Sequence, residues 1–360
     1  MERYRVRWRW LLVALVGWVL GGGAPVAAPS VGGRVAEAAQ LAPLPQRTRV
    51  VYGAPPGVAF AVYVGLERGY FEELNLAVEL EPVHNTAAIA PNLVNGSLDL
   101  GHMAAAPGFF NAVARGLPIK AILDASHYAP GGRSHVVMAR QELYDSGQLR
   151  GVEQLRGRRV ALSSVPGGLG IDLDRALQRV GLTLDAVEQV QLPFVEQAVA
   201  LANGSVDAAV TLEPFATQIR ERGIAEVIRY LNDDYPDHQV SFVMISTQLI
   251  ERPEVTRAFA VAYLRAARAY ERARQFGEGV DEIAQILSRY NQQAPVAVAA
   301  AFRNGGMTAI DPQGRLRVES IQYDLDWYRQ RGFVDRAIDL AEFVDPQYAD
   351  YAVGVLGPFR

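Results

Sequence analysis

The sequence predicts an α/β protein of two similar lobes, each built on a mostly parallel sheet flanked by helices. Three observations carry this prediction. After residue 47, short apolar runs alternate with helix-length patterns, which is typical of sheets whose strands are mostly parallel. The phrase "LVNGSLDLG" at 93–101 returns as "LANGSVDAA" at 201–209, so one structural unit is expected twice. From Pro253 onward the pattern is almost wholly helical, which predicts a helical C-terminal tail.

The N-terminal forty residues differ in composition from the rest of the chain. Arginines at positions 3, 5, 7 and 9 precede an apolar run at 11–20, and small residues follow at 26–28 and 36–38. Secretory signal peptides have this layout, and the apolar run is short for a membrane span. We therefore predict a signal peptide over 1–39, cleaved after Ala28 or after Ala38 or Ala39, and a leader at 40–47. The alternative is an uncleaved segment that anchors the protein.

The length, the net charge and the absence of cysteine exclude several classes of function. A chain of 360 residues, half of them apolar, is long enough for two domains. The net charge is −4, and removing residues 1–28 takes away four arginines and Glu2 and leaves −7. An acidic protein is a poor partner for nucleic acid or an anionic membrane. The chain has no cysteine, which excludes disulfides, thiolate catalysis, thiolate metal sites and an acyl anchor on a lipobox cysteine.

Nine short apolar runs are candidate strands. They lie at 49–53, 77–82, 98–103, 119–124, 136–139, 159–162, 187–192, 208–212 and 226–230. Two strand-like segments, 134–140 and 238–246, are expected to connect the lobes. The predicted organisation is a first lobe at 48–137, a second lobe at 138–241, and a return to the first lobe with the helical tail at 242–360.

The repeated phrase has the chemistry of a corner between a helix and a strand. In each copy an amphipathic segment reaches Asn-Gly, and glycine suits the left-handed position just past a helix end. A serine and one apolar residue follow, and then Asp99 or Asp207 opens a buried strand. The alternatives are an N-glycosylation sequon and a chance match of turn chemistry. The expectation is two similar lobes that each contain this corner once.

A ligand is expected at the segments that follow the strands, because ligands of open α/β sheets bind beyond the carboxyl ends of the strands. The segment with the most chemistry is 163–170, where two serines, a proline and three glycines lead into an amphipathic helix. Exposed amides and the helix dipole suit a sulfonate, a carboxylate, a phosphate or a polarised carbonyl. Ser163, Ser164, Gly167 and Gly168 are therefore predicted to bind ligand, with a plain strand-to-helix turn as the alternative. The Gly-Lys-Ser/Thr ending of a phosphate-binding loop is missing, so nucleotide hydrolysis is not indicated.

Glu213 is a second candidate, because it lies in "LEPF" between a predicted strand and a helix. Its carboxylate could accept hydrogen bonds from an amine or ring N–H of a ligand, or it could cap its own helix. If Glu213 and the segment 163–170 both face the cleft, the ligand carries donors at one end and acceptors at the other. Taurine, aminopyrimidines and flavins fit that description better than nitrate does.

The remaining candidate ligand contacts also follow predicted strands. They are Phe60, Tyr63, Asn85, Thr86, Ala105, His127, Phe215 and His238. The aromatic rings could stack on a ring of the ligand, although such residues more often form core. Small residues at 104–106 would let the backbone approach the ligand closely. The five histidines have neither H-x-x-x-H nor H-x-H spacing, so neither a metal nor a cofactor is expected.

Five segments of the sequence resemble those of a known family. The segments are "GLERGYFEELNLAVEL", "LVNGSLDLG", "LRGRRVALSSVPGG", "LANGSVDAAVTLEPF" and the closing "FVDRAIDLAEFVDPQYADYAVGVLG". In order and spacing they resemble the substrate-binding proteins of ABC importers for sulfonates, taurine, nitrate and thiamine pyrimidine precursors. The resemblance implies a type II periplasmic-binding fold, in which two lobes joined by two strands close on a small polar molecule. It also implies an ABC permease in the membrane as partner.

The resemblance gives a specific expectation for function and location. We expect a monomeric, exported binding protein that is not an enzyme and that binds no nucleic acid. Many relatives in single-membrane bacteria carry a lipobox cysteine, which this chain lacks, so either the host has a periplasm or the N-terminal segment is kept as an anchor. The ligand stays open between the sulfonate, nitrate, pyrimidine and flavin classes.

Two other function classes fit the sequence less well. One is an enzyme on the same scaffold, such as a pyrimidine-precursor synthase or a porphobilinogen-polymerising deaminase. The deaminase resemblance requires a cysteine for its cofactor, and the synthases of this fold are intracellular and use cysteine-rich or histidine-centred sites. The other is the effector domain of a transcription regulator, which would need a helix-turn-helix in place of residues 1–47.

Overall fold

The computed structural model describes residues 41–83 and 88–360, so the predicted signal peptide lies outside the described residues. The strands are β1 (Thr48–Ala54), β2 (Leu76–Pro82), β3 (Leu100–Met103), β4 (Lys120–His127), β5 (His135–Arg140), β6 (Arg159–Leu162), β7 (Glu188–Gln191), β8 (Ala208–Leu212), β9 (Ala225–Tyr230) and β10 (Gln239–Ile245). All nine candidate strands and the returning strand are present, with small shifts at their ends.

Helices alternate with these strands and then dominate the C-terminal part. They are α1 (Phe60–Glu67), α2 (Ile89–Asn95), α3 (Pro107–Ala114), α4 (Gln141–Asp145), α5 (Gly168–Gln178), α6 (Phe194–Ala202), α7 (Phe215–Glu221), α8 (Thr247–Ile250), α9 (Pro253–Phe276), α10 (Val280–Asn291), α11 (Pro295–Arg303), α12 (Val318–Gln330), α13 (Leu340–Phe343) and α14 (Gln347–Leu356). The predicted helical tail therefore begins with α8 and α9.

The strands form two five-stranded sheets of the same topology. Their orders are β2-β1-β3-β10-β4 and β7-β6-β8-β5-β9. In the first sheet β10 is antiparallel to both of its neighbours, and in the second β5 is. The other four strands of each sheet run in one direction, which is the mostly parallel arrangement predicted. The reversed strand is in each case the one that arrives from the other sheet.

The chain passes between the sheets twice, from β4 to β5 and from β9 to β10. The passages are residues 128–134 and 231–238, and β5 and β10 pair along their whole lengths with the sheets they enter. The passages lie side by side, since the N–H of Tyr128 donates to the carbonyl of His238 at 2.9 Å. Both leave from the carboxyl ends of strands, so the carboxyl edges of the two sheets face this junction.

The repeated phrase occupies equivalent corners, between α2 and β3 and between α6 and β8. Gly96 and Gly204 are left-handed, with φ of 79° and 74°, as the sequence predicted. The side-chain oxygens of Asn95 and Asn203 each accept the N–H two residues on, both at 2.9 Å. Asparagine and glycine therefore build the same turn in both sheets.

The aspartate of each repeated phrase, Asp99 or Asp207, binds its corner to the neighbouring strand. Asp99 accepts the N–H of Val51 at 2.8 Å through its carboxylate and donates its own N–H to the Val51 carbonyl at 3.0 Å. Asp207 makes the same two bonds with Arg159, at 3.0 and 2.9 Å. The phrase is repeated because each sheet uses this aspartate to hold its central strand pair in register.

The helical tail packs on the first sheet through one long helix. Pro253 stands in the first turn of α9, where a missing N–H breaks no hydrogen bond. The side chains of Val255, Phe259, Tyr263, Ala266 and Tyr270 are at most 2% exposed. This stripe packs against α1 and α14. Each fully buried large apolar side chain contributes about 1.5–3 kcal/mol, so the stripe fixes the tail on the first sheet.

A second part of the tail, α12, touches both sheets. It packs against α3 and β10 of the first and against α5 of the second. The hydroxyl of Tyr328 donates to the carbonyl of Ala105 at 3.1 Å, and the indole of Trp327 donates to Asp174 of α5 at 2.8 Å. Helix α12 therefore bridges the sheets on one side of the junction. Within residues 41–83 and 88–360, no helix is both long and apolar enough to cross a membrane.

Candidate functional site

The candidate site lies where the carboxyl edges of the two sheets face each other. Loops after β1, β3, β6 and β8 lead from these edges into α1, α3, α5 and α7. The two halves approach closely at one point, because a Cβ added to Gly306 would lie 2.8 Å from Cγ of Glu213. A segment of the tail thus reaches across from the first sheet to the second, and we call the region between these loops the cleft.

The predicted glycine-rich segment forms the loop between β6 and α5. Ser163 and Ser164 are half-buried, and α5 begins at Gly168. No side chain caps the first turn of α5, and the N–H of Gly170 donates to the Gly167 carbonyl at 2.9 Å, so only the amides before Gly170 are available to a ligand. A Cβ on Gly167 would lie only 1.9 Å from the Ser164 hydroxyl oxygen, so a larger residue would displace that hydroxyl from the helix start.

Glu213 caps its own helix, one of the two roles that the sequence left open. Its carboxylate accepts the N–H of Thr217 at 2.9 Å and the hydroxyl of Thr217 at 3.0 Å. Burial raises the pKa of Glu213, and the two bonds from Thr217 oppose that rise.

His127 and His238, both predicted as ligand contacts, lie at the junction and are buried. Nδ1 of His127 is 2.8 Å from the carboxylate of Asp124, and its Nε2 is 2.9 Å from a guanidinium nitrogen of Arg317. Because arginine only donates, Nε2 of His127 accepts and Nδ1 carries the proton to Asp124. Both ring nitrogens of His127 therefore have protein partners.

His238 lies between two buried carboxylates. Its Nδ1 lies 2.7 Å from a carboxylate oxygen of Asp172 in α5, which makes an ion pair without the geometry of a hydrogen bond. Its Nε2 lies 3.1 Å from a carboxylate oxygen of Asp324 in α12. Burial by itself would lower the pKa of His238, but the charges of Asp172 and Asp324 raise it to about 10. The ring also stacks on Tyr235, with centroids 4.2 Å apart. His238 is thus a buried cation that joins the crossing to both helices.

The predicted aromatic contacts are packed against other rings. Phe60 stacks on Tyr270, and Tyr63 stacks on Tyr290 with centroids 4.1 Å apart. The Tyr63 hydroxyl also accepts the N–H of Gly57 at 3.0 Å, which holds the loop after β1 against α1. These two rings line the core rather than an open surface, being 4% exposed each.

Three further predicted contacts have different surroundings. Phe215, at the start of α7, is buried and stacks on Phe194 with centroids 5.9 Å apart. Ala105 is buried, and its carbonyl is taken by Tyr328 of α12. Asn85 and Thr86 lie outside the described residues.

The structure adds polar residues that the sequence did not suggest. Each has a buried side-chain nitrogen or oxygen with no hydrogen-bond partner. They are Thr211 at the end of β8, and Asn291, Gln293 and Thr308 of the tail, which are 0%, 5%, 7% and 5% exposed. Unpartnered buried polar atoms are rare in native proteins and call for a missing partner such as a ligand or water.

These residues lie beside the carboxyl ends of strands. A Cβ on Gly57, in the loop after β1, would lie 3.1 Å from Cβ of Asn291. Ala309 exchanges backbone hydrogen bonds with His127 at the end of β4, which places the preceding Thr308 at the same edge. The sequence predicted that the tail forms core packing. No local sequence pattern marks these polar positions. They come close to the cleft only because the chain returns from the second sheet to the first.

The cleft loops are almost neutral. Among the described loops at 55–59, 104–106, 163–167 and 213–214, the one charged side chain is that of Glu213. These four loops therefore offer neutral donors and acceptors and one carboxylate. In the described residues no group of three His, Cys, Asp or Glu side chains has the arrangement of a metal site.

Two like-built sheets, joined by two strands and facing each other across a polar cleft, define the type II periplasmic-binding class. The family model "NMT1/THI5 like" matches residues 58–273, and the chain belongs to that family. Comparison with curated protein sequences gave no match.

Solved structures show the same fold. The alkanesulfonate-binding protein SsuA from Xanthomonas axonopodis pv. citri, bound to MOPS, is 15% identical with a TM-score of 0.68, covering 84% of this chain and 100% of that one. The periplasmic nitrate-binding protein NrtA from Synechocystis PCC 6803 is 14% identical with a TM-score of 0.71, covering 86% and 89%. The desulfurization enzyme DSZB is 15% identical with a TM-score of 0.59, covering 85% and 99%. The fold thus carries both binding proteins and an enzyme.

Proposed function

We propose that the chain is the extracytoplasmic solute-binding component of an ABC importer, which captures a small polar organic molecule and delivers it to a membrane permease. The observation that carries the proposal is the set of buried, unpartnered polar atoms at the facing carboxyl edges of the two sheets. A ligand there would contact both sheets, and would therefore stabilise the closed arrangement over an open one. The permease would recognise the closed arrangement, and the ligand would leave unchanged.

The charge of the cleft favours one class of ligand. Thr211, Asn291, Gln293 and Thr308 offer neutral donors and acceptors, and Glu213 offers a carboxylate. A sulfonate or nitrate would need a positive partner, and the buried cation at the junction, His238, is already paired with Asp172 and Asp324. The neutral residues instead complement a ring that carries both N–H and carbonyl groups. We therefore place pyrimidine precursors and flavin-type heterocycles ahead of taurine, alkanesulfonates and nitrate.

The remaining features of this proposal follow from the same role. Residues 1–39 would be the export signal, 48–137 and 138–241 the two lobes, and 242–360 the return with its tail. The protein would act as a monomer at the outer face of the cytoplasmic membrane or in a periplasm. Its partners would be the ligand and the permease.

Thermal unfolding against a ligand panel tests this proposal. The purified chain is stripped of ligand by unfolding and refolding, and is then heated with taurine, alkanesulfonates, nitrate, formylaminopyrimidine, hydroxymethylpyrimidine or riboflavin. A true ligand at about 100 times its dissociation constant adds roughly 2.7 kcal/mol and raises the midpoint by several degrees. A shift with sulfonate or nitrate alone would overturn the heterocycle preference. No shift with any compound, and no small molecule released from the native protein, would count against the binding role.

The alternative is an enzyme on the same scaffold, as the fold of DSZB illustrates. The full chain has no cysteine, so any such chemistry would need another nucleophile or base. Mass spectrometry of the ligand after long incubation separates the two: a binding protein returns it unaltered, and an enzyme returns product.

A further inference from the structure

A cavity of about 430 Å³ lies on the outer surface of the first sheet's helices, where α1 ends and α10 begins. Four arginines line it: Arg68, Arg265, Arg268 and Arg272. The cavity is remote from the cleft, because α1 starts at the carboxyl end of β1 and runs back along the sheet. Arg68, at the end of α1, therefore lies at the opposite edge of the sheet from the candidate ligand site.

Two of the arginines already have carboxylate partners that hold their guanidinium groups in place. Arg68 donates to both carboxylate oxygens of Glu282, at 3.0 and 2.8 Å. Arg265 donates to Glu73 at 2.6 Å and lies over the ring of Tyr70, 4.2 Å from its centroid. Such paired, planar guanidinium groups hold their positions at lower entropy cost than free side chains.

The other two arginines are less fully compensated, because one has no carboxylate partner and the other has a distant one. Arg268 donates to the backbone carbonyls of Pro312, Leu356 and Gly357, at 2.9, 3.3 and 2.6 Å, and has no carboxylate partner among the described residues. Burial lowers the pKa of Arg268, and the charge of Arg272 lowers it further. Arg272 forms an ion pair with Glu278, which also lines the cavity, with 3.6 Å between a guanidinium nitrogen and a carboxylate oxygen.

The start of α10 adds to this positive field. Gly279, at the cavity wall, is the N-cap of this twelve-residue helix, and no side chain caps its first turn. The acidic residues of that turn are engaged elsewhere, Asp281 with Arg303 and Glu282 with Arg68. Gly279 therefore brings the start of α10, with the positive end of its helix dipole, to the wall of the same cavity.

We propose that this cavity is a second binding site, which takes a phosphate-class oxyanion between Arg268, Arg272 and the start of α10. A tetrahedral oxyanion would neutralise the guanidinium of Arg268 and would compete with Glu278 for that of Arg272, and guanidinium forks bind such oxygens in bidentate fashion. The oxyanion could be free phosphate or the phosphomonoester headgroup of a lipid, since both present the same oxygens. The site is independent of the solute bound in the cleft.

The first arm of the test uses inorganic phosphate. Titration calorimetry of the full chain is run at constant ionic strength with phosphate, with chloride as the blank. Wild type is expected to bind phosphate, and Arg272→Gln to weaken that binding at least tenfold. Arg272 is exposed and holds no backbone carbonyl, so its variant should fold even if Arg268→Gln does not. The matched control is Arg222→Gln, which changes an exposed arginine just past the end of α7 in the second sheet and should bind as wild type does.

The second arm separates the two sources of the oxyanion. Vesicles of phosphatidylcholine, with or without phosphatidic acid, are sedimented with wild type, Arg272→Gln and Arg222→Gln. Phosphate binding without an Arg272-dependent gain on phosphatidic acid assigns a free anion, and such a gain assigns a headgroup. The proposal is overturned if neither probe binds, if Arg272→Gln binds both as wild type does, or if Arg222→Gln loses binding equally. None of these outcomes depends on the cleft, so the binding role proposed above stands or fails separately.

Discussion

At the junction of the two sheets, Nδ1 of His238 lies 2.7 Å from the carboxylate of Asp172, with side chains 2% and 0% exposed. Asp324 approaches the other ring nitrogen at 3.1 Å. His238 precedes β10, Asp172 belongs to α5 and Asp324 to α12, so one buried cation holds together three segments that are far apart in sequence. Removing one partner of such a buried pair typically costs about 3–5 kcal/mol, because the remaining charge is left without compensation.

This pairing predicts a loss of stability at alkaline pH. The folded pKa of His238 is raised to about 10 from an ordinary value of 6.5. Its stabilising contribution is therefore complete below pH 6.5 and is lost as pH rises toward 10. Urea unfolding between pH 6 and 10 measures this slope, which should be shallower in His238→Gln. Asp324→Asn is the second variant, and an unchanged slope in both would contradict the prediction.

Acid pH should destabilise the protein through two other histidines. Burial lowers the pKa of His102 and of His135 to about 4. The folded state therefore binds fewer protons than the unfolded chain, and stability falls as pH drops from 6.5 toward 4. Urea midpoints at pH 7, 6, 5 and 4 measure this fall. His135→Asn should flatten part of it, and a midpoint that rises on acidification would contradict the assignment.

The unpartnered hydroxyl of Thr308 predicts a variant that separates stability from binding. Thr308→Val should leave the ligand-free protein as stable as wild type, or about 1 kcal/mol more stable, because it removes a buried hydroxyl that makes no hydrogen bond. The affinity for the cleft ligand should fall at the same time. The matched control is Thr256→Val, which should lose about 1 kcal/mol, since that hydroxyl donates to the Leu249 carbonyl at 3.0 Å. Equal losses of stability in both variants would mean that Thr308 has a partner.

In the glycine-rich loop, the close approach of Gly167 and Ser164 predicts that a side chain at position 167 lowers stability. Gly167→Ala should cost about 1–3 kcal/mol, because its Cβ would meet the Ser164 hydroxyl oxygen at 1.9 Å. Part of this cost should vanish in the double variant with Ser164→Ala. Gly168→Ala is the matched control and should be tolerated, since its Cβ would meet only His238, at 3.9 Å. Additive costs in urea unfolding of the double variant would exclude the contact.

Asp99 and Asp207 occupy equivalent positions in the two sheets, so replacing either one should lower the free energy of unfolding by a similar amount. Asp99→Ala and Asp207→Ala should each lose about 1.5–3 kcal/mol, because each removes a charged acceptor from a strand N–H. Asparagine keeps an acceptor oxygen, so Asp99→Asn and Asp207→Asn should lose less. Chemical denaturation of the four variants measures this, and asparagine variants as unstable as the alanine variants would show that the charge matters rather than the bond.

Local chemistry explains how far the candidate site could be predicted. The segment 163–168 and Glu213 were found because a strand end, glycines and a carboxylate before a helix are patterns of neighbouring residues. Whether Glu213 caps α7 or faces a ligand was open, since both roles use the same carboxylate. The structure shows the bonds to Thr217, and ligand contact remains a prediction.

The strands, their class of fold and the paired corners follow from the sequence, because apolar periodicity and the Asn-Gly turn act over a few residues. The polar groups of Asn291 and Thr308 at the cleft, the cation at His238 and the four-arginine cavity follow only from the tertiary structure. Each joins residues that lie far apart in the chain, so its burial, its charge and its missing partners exist only once the helical tail has packed on the first sheet and α12 has bridged both.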